Sequence, residues 1–368
     1  MKTFLLIVRW VVGLLFIFSG LIKANDPLGL SYKMQEFFEV WGWDALNAYT
    51  LSFALLMNLF EVVAGVAVII GWRMKLVSWL LLVLIVFFTF LTGYALLSGK
   101  IKTCGCFGDC IPLTAAQSFG KDLFLLTLIL VLLVTGKRIH SPFKSFTAIV
   151  LLLIVAMGTS AGQWYVLEHL PLVDCLPYKK GNDIAEQMKT PAGAVPDSFS
   201  IVFTYQKNGR QLSFDQSNFP ADFDSTYTYI DRKDILVKKG NGLQAKIVDF
   251  SLQTLSGMDT TAAVFAQPNP YLLVMANHME HTNDWINGFA EVVLAAAQKN
   301  LSIILVTADA DKAVTLFPNT IIVKCDAIVI KTAARVTPTY FLMQRSTVLD
   351  KISYVDLKKV LQKINSLK

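Results

Sequence analysis

Five long apolar runs fill most of the first 165 residues and restrict what this chain can fold into. A run of about 18 or more apolar residues is long enough to cross the ~30 Å hydrocarbon core of a bilayer as a helix. The runs are about Phe4–Ile22, Thr50–Trp72, Leu76–Ser98, Ala116–Gly136 and Phe146–Tyr165. The fourth is uninterrupted only over Leu123–Val134. It spans only if Lys121 and Asp122 sit at the interface or face other helices. The first run has the Lys2 and apolar core of a signal peptide. However, Arg9 lies inside it and no Ala-x-Ala-type cleavage site follows, which predicts a retained helix. Only 16% of the chain is charged, against about 25% in an ordinary soluble domain. A fully soluble enzyme and a disordered chain are thereby excluded. The net charge of +6 comes without a basic stripe interleaved with aromatics. It reads as loop lysines obeying membrane topology, with no nucleic-acid partner.

The positive-inside rule orients the spans. Arg73 and Lys75 follow the second run, and Lys137, Arg138 and Lys144 follow the fourth, in both cases without an acid. The first loop mixes Asp26, Glu36, Glu39 and Asp44 with Lys23 and Lys33. Lys100, Lys102 and Lys121 around the third loop pull mildly the other way. The expected arrangement is a multi-pass protein of a bacterial inner (cytoplasmic) membrane. Its N-terminus is cytoplasmic, and its third loop and C-terminal half are periplasmic.

Four of the five cysteines fall on that outer face. Cys104, Cys106 and Cys110 occupy the third loop, in Cys104-Gly-Cys-Phe-Gly-Asp-Cys110, and Cys175 follows the fifth run. An oxidising compartment lets such thiols form and exchange disulfides. Four cysteines allow three pairings, and spacing does not choose among them. Gly105 and Gly108 permit the sharp bends that would bring thiols together. A dithiol/disulfide exchange loop and a static staple both fit. A zinc site is a third, less favoured option, because the nearest histidine, His140, is expected on the opposite side. Cys325, within Thr320-Ile-Ile-Val-Lys-Cys325, reads as a buried thiol of a strand-like run. Within the membrane, Glu61 and Arg9 are costly unless paired or facing a cavity. Their opposite signs on neighbouring helices point to one buried pair serving packing and register; a proton or quinone site is the alternative.

Arg9-Trp-Val-Val-Gly-Leu-Leu-Phe-Ile-Phe-Ser-Gly-Leu-Ile-Lys23, followed by Asn-Asp-Pro-Leu-Gly29, resembles the opening helix of the DoxX family. Glu61-Val-Val-Ala-Gly65 resembles its second helix. The Cys-Gly-Cys-Phe-Gly loop is similar to that of the methylamine utilisation protein MauE, a redox-associated relative. The likeness covers about residues 1–140. It implies a link to disulfide formation in, or maturation of, a periplasmic partner. Arg9, Lys23 and Glu61 match DoxX motif positions, and Cys104 and Cys106 match the MauE-like loop. This chain departs by adding a fifth helix and a long C-terminal half.

A Pro- and Gly-rich tether over about Leu167–Asp197 leads to a predicted hairpin turning at Asn208-Gly209. Beyond residue 245, Ile247-Val-Asp-Phe-Ser-Leu is followed by buried strands at Tyr271–Ala276 and Leu301–Thr307. Helical spacing covers Asp284–Lys299, with further helices near Ala310–Phe317 and Tyr354–Asn365. The alternation predicts an α/β domain with a central sheet. Its order resembles the thioredoxin fold of membrane-tethered periplasmic proteins. Thr337-Pro338-Thr339 stand where that fold keeps a cis proline, and the cleft there is the expected partner-binding place. Where thioredoxins carry Cys-x-x-Cys, this chain reads Asn277-His-Met-Glu-His-Thr-Asn-Asp284. The domain is therefore expected not to run dithiol chemistry, and His278 and His281 read as surface polar residues rather than a metal site.

The expected organisation is a DoxX/MauE-like all-α bundle (1–140), a fifth transmembrane helix (141–166), a periplasmic linker and hairpin (167–244), and a thioredoxin-like α/β domain (245–368). The expected function is redox support through the Cys104–Cys110 loop. Cys104, Cys106, Cys110 and Cys175 are its redox candidates, a periplasmic client or redox partner is expected, and a quinone is a candidate cofactor. The alternative is a non-catalytic scaffold with structural disulfides. A haem-bearing core is disfavoured, because His140 is the lone histidine of the membrane half.

Overall fold

Apolar helices in a bilayer must satisfy every backbone group internally and then find packing partners. The computed structural model shows how these helices do so; it describes the chain except residues 1, 100, 102–104, 140, 196–197, 216, 239, 281 and 368. The chain forms two compact units, Met1–Gly181 with Ser251–Lys368, and Asn182–Phe250.

The larger unit begins with α1 (Lys2–Asn25), α2 (Pro27–Trp41), α3 (Thr50–Ile70), α4 (Met74–Ser98), α5 (Ala115–Thr135) and α6 (Ser145–His169). Five helices are long and apolar enough to cross a membrane: α1, α3 with the short turn before it, α4, α5 with the short turn after it, and α6. They carry the five expected runs. Helix α2 is an addition to that reading. Its start is set by Asp26, whose side chain accepts from the Gly29 amide at 3.0 Å, with Pro27 opening the first turn. Proline at that position loses nothing, because its missing N–H would have been unsatisfied anyway. Gly42, at φ 70°, ends the helix in the left-handed conformation.

Helices α1 and α3 pack through glycines. A Cβ at Gly13 would lie 2.8 Å from the Gly65 carbonyl oxygen, and one at Gly65 would lie 2.7 Å from that of Gly13. Small residues allow this close approach, which gives van der Waals contact where lipid supplies no hydrophobic drive. Around the seam, Val12, Val68, Leu81, Ile129 and Ala148 from five different helices are fully buried. The opposite faces expose Phe4, Ile7, Leu14 and Phe18 of α1 and Phe146, Ile154 and Met157 of α6, as lipid-facing surfaces do.

The smaller unit holds α7 (Ile184–Met188), β1 (Ser198–Lys207), β2 (Arg210–Phe214) and β3 (Thr228–Lys238), paired in the order β2-β1-β3. The expected hairpin is present: Lys207 pairs with Arg210 across Asn208 and Gly209, whose φ values are 52° and 76°. Both central residues at positive φ give the two-residue turn whose twist matches that of the strands. The antiparallel β3 is a further strand that the sequence reading did not include. Asp231, Arg232, Lys233 and Asp234 interrupt its apolar alternation.

The rest of the larger unit is α8 (Thr261–Phe265), β4 (Tyr271–Met275), α9 (Ile286–Gln298), β5 (Ser302–Thr307), α10 (Ala310–Leu316), β6 (Ile321–Lys324), α11 (Ala327–Ala334), β7 (Thr339–Gln344), β8 (Thr347–Ser353) and α12 (Leu357–Ser366). The sheet order is β6-β5-β4-β7-β8, with β4, β5 and β6 parallel and β7 and β8 antiparallel. All five residues of β4 are buried, which marks it as the central strand. Leu272 and Val274 share a core with Phe289 and Val292 of α9 and Val360 and Ile364 of α12. Leu273 and Met275, on the other face by strand alternation, are equally inaccessible. Residues 247–252 form no named strand; Gln253 alone bridges to Lys324. Thr337–Pro338 is a cis peptide bond.

Candidate functional site

The intramembrane charges are arranged differently from the expected Arg9–Glu61 pair. The partner of Glu61 is Lys23, and both side chains are fully enclosed. Arg9 instead donates from Nε to the Val68 carbonyl at 3.1 Å and from Nη2 to the Ile69 carbonyl. The reason is reach. Arg9 and Lys23 are 14 residues apart on one helix, about 21 Å along its axis at 1.5 Å per residue. Arg9 therefore meets the last turn of α3, whose carbonyls lack intrahelical partners and attract a cation. Lys23 faces Glu61 deeper along α3. A second pair lies on α5, where the partly exposed Lys121 has its Nζ 2.6 Å from Oδ1 of the buried Asp122, and Thr92 of α4 donates to Asp122 Oδ2 at 3.0 Å. The bundle thus carries Lys23 with Glu61 and Lys121 with Asp122 as neutral pairs, and Arg9 on helix-end carbonyls, which keeps the cost of each in check.

Lys23, Glu61 and Lys121 border a cavity of about 550 Å³. Its wall is almost wholly apolar and aromatic, and its polar members include Lys23, Glu61, Thr92, Cys106 and Lys121. Phe53 and Leu56 of α3 and Phe87 of α4 line it and are themselves exposed, so it opens sideways between those helices. Glu61 contributes an unusual feature. Its Oε2 is buried and has no hydrogen-bond partner among the described residues. A lone buried carboxylate oxygen is expensive.

The cysteine loop closes one end of this cavity. Gly105 and Gly108 take φ values of 66° and 56°, where a side chain would be strained. Ser19 of α1 donates to the Cys106 carbonyl at 3.1 Å, which fixes the loop against the bundle. Lys121 Nζ sits 5.3 Å from the centre of the Phe107 ring, close enough for a cation–π contact. Cys106 is a free thiol. It is half-buried and lines the cavity. Burial pushes this thiol above its ordinary pKa, while the Lys121 ammonium opposes the shift by favouring thiolate. Cys104 lies outside the described residues.

The other two candidates, Cys110 and Cys175, form a disulfide with a Cα–Cα distance of 4.8 Å. It ties the third loop to the segment after α6, so both lie at the same end of the bundle. Each half-cystine follows an aspartate that holds the α/β part. Asp109 accepts from Arg335 Nη2 at 2.7 Å, and Asp174 accepts from Lys351 Nζ at 2.8 Å. Arg335 also donates from Nε to Asp26 at 2.9 Å and lies 5.4 Å from the Tyr32 ring centre. Arg335 and Lys351 are almost wholly buried in these contacts. Burial works against charge on Arg335, yet Asp26 and Asp109 hold its guanidinium above its ordinary value. On Lys351 burial prevails over Asp174 and pulls the ammonium below its ordinary value. His169, at the end of α6, adds a 3.1 Å contact to Asp356.

The expected cleft residues meet this same part of the molecule. Thr337 is exposed, whereas Pro338 and Thr339 are buried. The Thr339 hydroxyl donates to the Ala334 carbonyl at 2.9 Å and to the Val336 carbonyl, so it has no spare donor for a partner. Cys325 is a buried thiol, pushed up to about 11 by burial. His278 stands 3.4 Å from Asp309. The Met279 amide, with help from His278, holds the Asp309 carboxyl below the usual carboxylate range. His281 lies outside the described residues.

The functional residues that the sequence reading missed are Asp26, Asp109, Asp174, Arg335 and Lys351. The signal available was weak: two Asp-Cys dipeptides, Asp109-Cys110 and Asp174-Cys175, far apart in the chain. The structure brings both onto one disulfide.

With the charged cavity and its cysteine loop described, the comparison with known families bears on the same residues. Residues 1–135 match the family of the methylamine utilisation protein MauE. The MauE-like part thus contains α1 to α5, the cavity, Cys106 and Cys110; Cys175 and the whole α/β part lie beyond it. Residues 199–239, which hold the three-stranded sheet, match a domain of unknown function (DUF8463). No curated protein and no solved structure matches the chain.

Proposed function

We propose that this multi-pass membrane protein supports thiol–disulfide exchange on the outer face of a bacterial inner membrane, through the loop that carries Cys104 and Cys106. The observation that supports this most is Cys106. It is a free thiol that lines a membrane cavity, where Lys121 offsets part of the burial that holds it protonated. Exchange begins with thiolate attack on a disulfide sulfur, and Cys104 is the natural resolving thiol by its place two residues away. The α/β part, read as thioredoxin-like from its strand order and carrying no cysteine in the Asn277–Asp284 segment that directly follows β4, presents or binds a client and leaves the chemistry to the MauE-like part. The lysine and arginine distribution supports a cytoplasmic N-terminus and a periplasmic α/β part.

Alkylation in whole cells with a membrane-impermeant maleimide, before and after a reductant, tests this reading. Cys104 and Cys106 are expected to gain label after reduction, and a Cys106→Ser variant is expected to leave a client oxidised or reduced incorrectly. If neither cysteine ever becomes reactive, the exchange function fails.

The scaffold reading has one observation of its own. Cys110–Cys175 sits between two aspartate clamps on the α/β part. That disulfide therefore acts as a staple, with exchange confined to the other two cysteines.

A further inference from the structure

The cavity beside Cys106 has a chemistry of its own. It opens sideways into the region that lipid occupies, so a ligand reaching it travels in the bilayer. Phe16, Phe60, Phe88 and Trp41 supply flat walls suited to a ring. At about 550 Å³ it falls within the range of pockets that enclose a small organic molecule. Among its polar groups, Glu61 Oε2 lacks a hydrogen-bond partner among the described residues and Lys23 stands against the other oxygen of the same carboxylate. A natural ligand for that pair has an aromatic-sized apolar body and a polar oxygen that can either accept from Lys23 or, as a hydroxyl, donate to Glu61.

We propose that this cavity binds the head group of a lipid-soluble quinone, with one ring oxygen at Lys23 and Glu61, and that the quinone is the two-electron acceptor for the Cys106 thiol. The inference rests on the exchange function proposed above and names its oxidant. The stoichiometry closes without an outside proton. The Cys104 and Cys106 thiols lose two electrons and two protons as their S–S bond forms. The quinone gains the same two electrons and two protons and leaves as quinol. The site suits such a neutral transfer, because Lys23–Glu61 and Lys121–Asp122 carry no net charge between them. Lys121 lowers the cost of the transient Cys106 thiolate. Glu61 accepts a hydrogen bond that exists only in the quinol.

The test uses the full chain in nanodiscs cleared of endogenous quinone, with decylubiquinone and menadione as separate probes. Quenching of tryptophan fluorescence reads binding, because Trp41 and Trp43 line the cavity. Quinone absorbance and mass-spectrometric thiol counting read the electron transfer. Saturable quenching is expected with at least one probe. Binding is expected to weaken at least tenfold in Glu61→Gln, and also in Met57→Phe, which fills the cavity without touching a charge. Two moles of thiol should disappear for each mole of quinone reduced. If neither probe quenches saturably while Cys106 still exchanges with disulfides, the quinone site is overturned and the exchange function stands. If quinone binds and no thiol is oxidised, the redox step is overturned. If Met57→Phe folds by circular dichroism and binds as the wild type does, the cavity is not the site.

Discussion

Cys106 and Cys110 stand four positions apart in one loop and end in opposite chemical settings. Cys106 is a free thiol that faces an apolar cavity and is bordered by lysines. Cys110 is bonded to Cys175 at the rim, between two aspartates that grip the α/β part. Gly108 lies between them at positive φ and turns the chain from one setting to the other. Reactivity in such a loop follows from what each sulfur faces. A thiol kept apart from its neighbours stays available, and one brought within bonding distance of a partner becomes structure.

If this division is right, Cys175→Ser acts on stability. The Cys110–Cys175 bond spans a sequence separation of 65, and closing a loop of that order contributes about 4 kcal/mol by the chain-entropy estimate. Thermal unfolding in detergent should fall sharply, with the α/β part becoming protease-sensitive. Unchanged melting combined with lost client oxidation would make this bond a catalytic one and erase the distinction from Cys106.

Arg335→Met comes next. It leaves Asp26 and Asp109 without their shared cation, and removing one partner of a buried ion pair costs about 3 kcal/mol. Proteolysis of the segment 167–181 should accelerate, while maleimide labelling of Cys106 should not change. Equal loss of both would mean that the docked domain governs the cavity thiol as well.

Gly65→Leu tests the membrane core on which the cavity rests. The new side chain would meet the Gly13 carbonyl oxygen and Ile17, and overpacking of this kind costs about 2 kcal/mol. Melting of the bundle should fall, and Lys23 and Glu61 should be forced apart, weakening quinone binding with it.

The smallest effect concerns pH. Because burial raises the Cys106 pKa, its thiolate fraction keeps growing above the pH at which an ordinary thiol, near 8.5, has levelled off. The alkylation rate should therefore continue to climb through alkaline pH. Lys121→Met removes a charge that favours thiolate and should slow alkylation several-fold at pH 8. An alkylation profile centred at or below the ordinary thiol range would show that the cavity thiol is activated in the resting protein.

How much of this was legible in the sequence depends on distance along the chain. The spans, the Asn208-Gly209 turn and the strands β4 and β5 are local features, visible through hydropathy, period and turn chemistry. Helix α2 was passed over because its residues mix charge with aromatics. Its start at Asp26-Pro27 was readable as a cap, yet nothing nearby marked its Leu30, Phe37 and Trp41 as lining the cavity. Glu61 stands out in the sequence as a membrane charge in need of a partner, and Lys23 is that partner. Its pairing with Arg9 failed because helical rise puts Arg9 at the wrong depth.

The sequence alone therefore determined that five helices are long and apolar enough to cross a membrane and that a sheet-bearing part follows. Each conclusion depends on residues within about one element of one another. Only the tertiary structure decided that Glu61 takes Lys23, 38 positions away, that Cys110 takes Cys175, and that Arg335 reaches back 309 positions to Asp26. Such pairings are chosen by which helix faces approach and at what depth. That approach is governed by the Gly13–Gly65 contact and the turns of the cysteine loop, whose consequences appear only when the whole chain is packed.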